Sequence, residues 1–423
     1  MAEFFDDLCP RLQGQGGETP EQGELLAVCA GLRDPGTTDA QVAAALDAIS
    51  AEEIATAATT ALRLSSLQHG NLSERINALR SGASGVDLTG LNLQIEGRHI
   101  PGAVVAEAFD ESVGHVISNL LGGGASADDF GRWGLFVNGK VSFGDKDETE
   151  NEPGFDFDTI GVTAGVDYRF GQGLVLGAAV GYARLESDFD ADRGSLDIDS
   201  WSGSLFGTYF VADRFYVDGV LSYGRNDYES VRHVMYTDVL GTVDVTAEGD
   251  TDGLQLSGGL ATGFDFNRGA WTFGPHLGLY YFDADVDELA ESGAGGLDLV
   301  IGEQNAQSFT ANAGGHLSFV YTAGWGVLVP HLRVDWVHEF QDSRELVGIR
   351  IANDPFSTDP SNPTPTIRLE TDSPDPDYFV WSTGVSAQFI NGLSGFVSYR
   401  TTAAFDDLTL HEVTYGLRFE RTF

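Results

Sequence analysis

The chain has 423 residues and a net charge of −41, with 23 lysines and arginines against 64 aspartates and glutamates. Because phosphate binding needs a basic footprint, this balance excludes nucleic acid as a partner. Hydrophobic residues make up 42% of the chain. No run approaches the roughly 18 apolar residues of a membrane-spanning helix, so any part that crosses a membrane must do so with strands.

The first hundred residues are predicted to form a mainly helical segment, 1–100. Apolar residues recur there at helical spacing, and Ser50 followed by Glu53 reads as a capping box that opens a longer helix. The expected elements are short helices around 5–12 and 23–32, a helix from 38 or 39 to 49, the longer helix after the capping box, a further helical stretch from 71 to 79, and a short strand at 91–95.

The only two cysteines, Cys9 and Cys29, both lie in this segment. An exported protein crosses an oxidising periplasm, so a disulfide that closes this short loop is expected, with two free thiols as the alternative. The start, Met1 to Phe4, is acidic and does not resemble a signal peptide. We expect that a signal peptide has been removed and that Met1 is an artificial start.

Residues 101–125 are predicted to form a pore-spanning helix and a glycine hinge. The helix, 103–121, would be roughly 28 Å long, near the thickness of a hydrocarbon core. It is too polar to face lipid and leads directly into the first strand, which suits the inside of a pore; a surface helix is the alternative. Its polar side chains are Glu107, Asp110, Glu111 and His115.

From Arg132 the side-chain pattern changes to a period of two, which indicates strands. In 328–340, for example, Leu332 and Trp336 fall on one face and Arg333 and Asp335 on the other. A barrel with aliphatic and aromatic residues outside and charged residues inside has the reverse of the arrangement in a soluble barrel, whose interior is apolar. Twelve such segments are expected, at 132–144, 156–170, 173–187, 196–211, 214–229, 249–266, 270–285, 306–321, 326–342, 376–390, 392–404 and 408–423.

Short and long connections alternate between these segments, as they do on the two rims of a bacterial outer-membrane barrel. The long connections are expected at 145–155, 188–195, 230–248, 286–305 and 343–375. They and their flanks carry much of the acid, including Asp145, Asp147, Asp188 and Asp190. No stretch fits a twelve-residue calcium loop, so we expect solvated charge, with weak divalent-cation binding as a hypothesis.

The chain resembles the autotransporter family, the type V secreted proteins of Gram-negative bacteria, from about residue 100 onward. The terminal strand ends on Phe423 and looks like the signal that the barrel-assembly machinery reads, with Tyr415, Gly416, Leu417 and Phe419. The other stretches that carry the resemblance are 132–139, 144–145, 155–158, 161–170 and 330–340.

The resemblance implies an all-β transmembrane barrel of 12 antiparallel strands, 126–423, with a lumenal α-helix and an N-terminal α-helical segment. It implies an outer-membrane translocator that exports or displays its own N-terminal passenger, without cofactors. Expected partners are outer-membrane lipid, lipopolysaccharide, periplasmic chaperones and the assembly machinery. Two features depart from the family pattern: Arg421 stands at an outward position, and the helical segment before the pore helix is short for a passenger. That segment is therefore a passenger remnant or a small passenger, at the cell surface or in the outer vestibule.

Charged residues on the inward faces of the strands are expected to form a network that holds the pore helix. Their partners on the helix would be Glu107, Asp110 and Glu111. The strand residues of this predicted network are Asp167, Arg169, Arg333, Asp335, Arg418 and Glu420.

Catalysis is not expected. Gly203-Ser204 lacks the strand–turn–helix setting of a nucleophile elbow, and His316, His331 and His338 fall within strands. The alternatives to a translocator are a stand-alone barrel with an adhesive or structural role and, third, a barrel hydrolase using His233 at the outer rim.

Overall fold

The structure is a computed structural model of the chain. It describes residues 1–80, 85–87, 92–95, 98–101 and 132–423, apart from 150, 172, 212–213, 342–343, 358–360, 390–392, 406 and 420–423. Ahead of the barrel, short strands at Gly85–Asp87, Asn92–Ile95 and Arg98–Pro101 follow the helices. The second and third of these pair with each other, which agrees with the strand predicted at 91–95.

Twelve antiparallel strands form a closed barrel, as predicted. Each strand hydrogen-bonds to its neighbours in sequence, and the last strand closes the barrel on the first through the pairing of 408–413 with 141–146. Gly85–Asp87 pairs in parallel with the other half of the first strand. The strands are β1 Trp133–Lys146, β2 Phe155–Phe170, β3 Leu174–Phe189, β4 Gly194–Val211, β5 Phe215–Asp238, β6 Gly241–Phe264, β7 Trp271–Val286, β8 Gln304–Phe319, β9 Gly326–Glu339, β10 Asp377–Phe389, β11 Leu393–Ala403 and β12 Leu408–Phe419.

The outward faces of these strands form an apolar belt. On β6, Leu254, Leu256 and Leu260 are exposed, whereas Asp252 and Asp250 take the next outward positions beyond the belt. The ten steps from residue 254 to 264 give about 26 Å along a tilted barrel axis, close to the roughly 25 Å of an outer-membrane barrel. Exposed aromatic residues border the belt on both sides, among them Trp201, Tyr223, Tyr281 and Trp336 on one side and Trp133, Phe215, Trp271 and Tyr321 on the other.

The two rims of the barrel differ as predicted. Short turns join the strands at one rim, where Gly171 and Gly269 take left-handed φ angles of 68° and 64° that favour glycine. Small strands at Phe266–Arg268 and Tyr321–Ala323 extend two of these turns. We call this the short-turn rim and the opposite one the long-loop rim.

The prediction of a loop at 230–248 is wrong, because β5 and β6 continue as a tall hairpin with its turn at Val239 and Leu240. The long connections 286–305 and 343–375 also contain strands. Leu289–Ala290, Leu299–Ile301, Leu346–Ile351 and Ile367–Glu370 pair into a separate four-stranded sheet. Short 3-10 helices form at Asp190–Asp192 and Gly295–Leu297.

The described part of the N-terminal segment contains five helices: α1 Ala2–Gln15, α2 Pro20–Leu32, α3 Asp39–Ile49, α4 Glu52–Ala55 and α5 Ala57–Arg80. The predicted disulfide between Cys9 and Cys29 is present and joins α1 to α2. The capping box predicted at Ser50 is wrong: Ser50 ends α3 and its hydroxyl donates to the Asp47 carbonyl. The capping box of this segment is formed by Thr38 and Gln41, which opens α3.

Helices α1–α4 share a hydrophobic core with the long-loop rim. Leu8, Leu12 and Leu25 of the helices are fully buried there, together with Val234 of the tall hairpin and Ile349 of the four-stranded sheet. We call this unit the cap. Its helices and its rim segments cannot separate without exposing this common core to water.

Candidate functional site

Helix α5 lies inside the barrel, against strands β1 to β8. Its 24 residues span about 36 Å, enough to cross the membrane-embedded part of the lumen. Near the long-loop rim, Ala61 and Leu64 pack with Phe157 and Leu185. Near the short-turn rim, Leu72 and Ile76 pack with Phe136 and Phe206. The helix therefore runs from the long-loop rim towards the short-turn rim.

Polar side chains fix the middle of α5 to the barrel wall. Gln68 accepts a hydrogen bond from the Thr163 hydroxyl at 2.6 Å and donates one to Ser204 at 3.3 Å. The Asn71 amide donates to Thr163 at 3.1 Å, and its main-chain carbonyl accepts from Asn138 at 2.9 Å. Because buried polar groups need partners, these bonds set both the depth and the rotation of the helix.

A buried ion pair holds the end of α5 nearest the short-turn rim. Arg75 Nη2 lies 2.7 Å from Asp167 Oδ2, and the two side chains are 0% and 4% exposed. The guanidinium also lies over the Phe136 ring, 5.1 Å from its centroid. Arg169, on the same strand as Asp167, donates to the Leu79 carbonyl at 3.3 Å. Two members of the predicted charge network thus contact a lumenal helix, and that helix is α5.

A second ionic cluster lies where the barrel closes. Glu412 on β12 pairs with Lys140 on β1 at 2.8 Å and with Arg400 on β11 at 3.0 Å. The carboxylate is 4% exposed and Lys140 is 5% exposed. An added Cβ at Gly70 of α5 would come within 2.9 Å of Lys140 Nζ, so the lysine lies directly against the helix. This cluster therefore joins the last strand, the first strand and α5.

A third cluster lies on β7 and β9. Asp335 accepts a bond from Arg333 Nε at 2.7 Å and forms a close contact with His276 Nε2. Asp335 is buried, but Arg333 is 40% exposed, as Arg400 is 41% exposed. Both arginines lie on the inward face of the barrel, so among the described residues water reaches the wall that is formed by β9–β12.

The remaining predicted site residues have no described side chains. Glu107, Asp110, Glu111 and His115 lie outside the described residues, as does Glu420, so the roles predicted for them stay predictions. Tyr415, Gly416, Leu417, Arg418 and Phe419 belong to β12, whose backbone is described through Phe419, but their side chains are not. Phe423 also lies outside the described residues.

The predicted pore helix, 103–121, lies outside the described residues, so that prediction is not tested. Within the described residues, the helix in the lumen is α5. The signal for α5 was the spacing of Ser65, Gln68, Asn71 and Arg75, which puts polar side chains on the same helix face as the apolar Leu64 and Leu72. This mixed buried face fits a lumen whose wall is partly polar and partly apolar.

The junction between the cap and α5 contains a buried carboxyl group, Glu53. The side chain is 4% exposed, and its Oε2 atom has no hydrogen-bond partner among the described residues. Burial raises the pKa of Glu53 from 4.5 to about 7, with Arg232 and Arg193 acting in the opposite direction. The folded cap therefore binds a proton that the unfolded chain has released between these two pH values.

This shift predicts that the cap loses stability as the pH rises from about 4.5 to about 7. Glu53→Gln removes the charge, so its melting temperature should exceed that of the unchanged protein by a few degrees at pH 8. The two proteins should melt alike at pH 4, where Glu53 is protonated in both states. Differential scanning calorimetry at both pH values tests this, and an equal difference at the two would contradict it.

Two kinds of feature are absent from the described part of the chain. No helix there is both long and apolar enough to span a membrane. No group of three or more histidine, cysteine, aspartate or glutamate side chains there is arranged to hold a metal ion.

The comparisons with known proteins indicate one family. The family model described as "Autotransporter beta-domain" matches residues 135–400. Among curated proteins, the chain is 32% identical over 159 residues to the autotransporter adhesin/invasin TibA of Escherichia coli, covering 37% of this chain and 15% of that protein. It is 25% identical over 186 residues to outer membrane protein B of Rickettsia typhi, covering 43% of this chain and 11% of that protein.

Among solved structures, the translocator domain of the autotransporter NalP from Neisseria meningitidis has a similar fold. The TM-score is 0.51 at 18% identity, and the match covers 75% of this chain and 97% of that one. The match of the family model to more than half of the chain agrees with the closed twelve-stranded barrel and its apolar outer belt. The chain therefore belongs to the autotransporter family, and its barrel is an outer-membrane translocator domain of a Gram-negative bacterium.

Proposed function

We propose that this translocator exports its own N-terminal segment and then keeps it, with α5 as a plug in the lumen and the cap displayed outside. The observation that carries the proposal is the continuous path from the cap through α5. The helix is fixed to the wall by Gln68, Asn71 and Arg75, so the segment before it is anchored at the long-loop rim. Its export would leave the chain threaded through the barrel.

The orientation of the cap follows from the rims. Short turns of outer-membrane barrels face the periplasm and long loops face the outside. The cap shares its core with the long-loop rim, and Arg232 of the tall hairpin reaches the Ile49 carbonyl at 3.4 Å. Residues 1–56 would then lie at the cell surface.

Epitope accessibility on intact cells tests this orientation. An epitope inserted in the connection 16–19, between α1 and α2, should be labelled by antibody without permeabilisation. The same epitope inserted in the turn 171–173 at the short-turn rim should be labelled only after the outer membrane is opened. The reverse pattern, or labelling of neither site on cells that insert the protein normally, would contradict the proposed display.

We assign no catalytic role to the acid–histidine pairs. His276 pairs with Asp335, and His316 Nε2 lies 3.2 Å from Asp265 Oδ1, in both cases on the inner wall. His338 pairs with Asp377 at 3.0 Å on the outward side. The His338–Asp377 contact joins the neighbouring strands β9 and β10, whereas the His276–Asp335 contact reaches from β7 across β8 to β9. Among the described residues, none of the three pairs has a hydrogen bond to a serine, threonine or cysteine side chain that could act as a nucleophile.

Adhesion by the cap is a second candidate function. The tip of the tall hairpin presents Val239 at 45% and Leu240 at 60% exposure, and Met235 nearby is 62% exposed. Exposed apolar side chains at the tip of a displayed hairpin favour contact with another surface. The match to the curated relatives spans only 11% and 15% of their length, so their own activities are not transferred to this chain.

Further partners belong to the same proposal. The terminal strand, with Tyr415, Leu417, Phe419 and Phe423, would be read by the barrel-assembly machinery, and periplasmic chaperones would deliver the unfolded chain. Acidic residues on the outward face above the apolar belt, such as Glu248, would attract divalent cations weakly beside lipopolysaccharide. Asp250 and Asp252 continue that acidic face.

A further inference from the structure

The short-turn rim carries exposed positive side chains. Arg132, Arg214 and Arg268 are exposed there, in a chain whose net charge is −41. Within the described ranges, none of the three takes part in an ion pair. Unpaired guanidinium groups at this level are available to an anionic partner.

One of these arginines lines a cleft on the outer wall. The cleft has a volume of about 430 Å³ and is bounded by Arg268, Trp271, Phe273 and Leu317. The register explains how they meet, because Arg268 lies opposite Trp271 and Phe273 lies opposite Leu317. Arg268 therefore stands at one end of a wall of apolar side chains.

The aromatic residues of the cleft are held in place by their neighbours. The Trp271 and Phe319 rings lie 4.6 Å apart between centroids, and the Phe266 and Phe273 rings are stacked at 5.6 Å. Trp271 is 47% exposed and Leu317 is 39% exposed. The cleft thus keeps a built shape and a large apolar surface that faces away from the protein.

The depth of the cleft in the membrane indicates which part of the lipid lies beside it. Trp271 belongs to the aromatic border of the apolar belt on the short-turn side, where the headgroups of the periplasmic leaflet lie. Towards the middle of the membrane, the outward positions of β8 continue with Gly315 and Ala313, opposite Pro275 and Leu277 of β7. Because Gly315 and Ala313 are small, a shallow path leads from the cleft into the hydrocarbon region.

We propose that this cleft binds one glycerophospholipid of the periplasmic leaflet. The phosphodiester accepts hydrogen bonds from the Arg268 guanidinium, which presents donors in a geometry that matches phosphate oxygens. The glycerol backbone lies against Trp271, and an acyl chain follows Phe273 and Leu317 towards Ala313. Charge complementarity selects a lipid with a phosphate, and the apolar wall selects a lipid over a free anion.

Native mass spectrometry of the detergent-released full chain tests the site. Phosphatidylglycerol and phosphatidylethanolamine are titrated separately, and a diacylglycerol with the same acyl chains serves as the probe that lacks phosphate. We expect one phospholipid to be retained and the diacylglycerol to be lost. Arg268→Gln should weaken retention about tenfold, because a charge-assisted hydrogen bond is removed.

Two further variants separate the cleft from the general charge of the rim. Arg214→Gln removes an exposed arginine of the same rim that does not line the cleft, and it should bind lipid as the unchanged protein does. Leu317→Trp fills the cleft without altering charge and should lower retention. Equal binding by Arg268→Gln and the unchanged protein would overturn the proposal. So would displacement of the lipid by inorganic phosphate alone, or a dimer of this chain that covers the cleft in place of lipid.

Discussion

Deleting residues 1–80 is expected to raise the single-channel conductance of the barrel severalfold in planar bilayers. Helix α5 occupies the lumen against strands β1 to β8, and its removal takes away the described residues that fill this part of the barrel. Some current is expected even in the unchanged protein, because Arg333 and Arg400 are 40% and 41% exposed to water inside the barrel. The increase measures how much of the cross-section α5 fills.

The control deletion removes residues 1–50 and retains α5. It takes away most of the cap helices but keeps the hydrogen bonds of Gln68 and Asn71 to the wall. Its conductance should stay close to that of the full chain. If both deletions conduct equally and well above the full chain, the cap and not α5 closes the barrel. If neither deletion changes the conductance, α5 is not a plug.

Glu412→Gln is expected to destabilise the barrel by about 3 kcal/mol, at the lower end of the effect of breaking a buried ion pair. Arg400 remains solvated in the lumen after the change, but Lys140 is 5% exposed and loses its carboxylate partner. The broken ion pair lies where β12 pairs with β1 and closes the barrel. The midpoint of urea unfolding in detergent, followed by the heat-modified mobility of the barrel on gels, measures the change.

Glu229→Gln is the matched control for this change. Glu229 is an exposed carboxylate on the tall hairpin, outside the apolar belt, and its replacement should leave the midpoint within error. The double variant Lys140→Gln with Glu412→Gln should recover part of the loss, because no buried charge is left alone. An unfolding midpoint for Glu412→Gln equal to that of the unchanged protein would show that the cluster does not stabilise the closure.

The barrel could be predicted from the sequence because lipid and lumen impose a period of two that is hard to mistake. On β9, Leu332 and Trp336 are exposed on the outside and Asp335 is buried inside, as expected. The same rule failed at 230–248, where the outward positions leave the membrane. Val234, Tyr236 and Ala247 still take inward positions there, but polar residues such as Thr237 and Asp244 take outward positions that are apolar inside the membrane.

The lumenal helix was harder to predict, because a helix inside a barrel has no single apolar face. Ser65 and Gln68 bind polar wall, whereas Leu64 and Leu72 bind apolar wall. Such a helix looks like an ordinary surface helix in sequence. The partners of Arg75 and Lys140 could not be predicted either, since they depend on the strand register and on how deeply α5 is inserted.

The shared core of the cap has a consequence for timing. Leu8 and Ile49 come from the beginning of the chain, and Ile349 and Ile367 follow some three hundred residues later. None of these side chains can reach its final surroundings until the connection 343–375 has arrived on the same side of the membrane. The earliest part of the polypeptide must therefore wait, partly unburied, until the chain beyond β9 has arrived, so the cap core cannot be complete before that point.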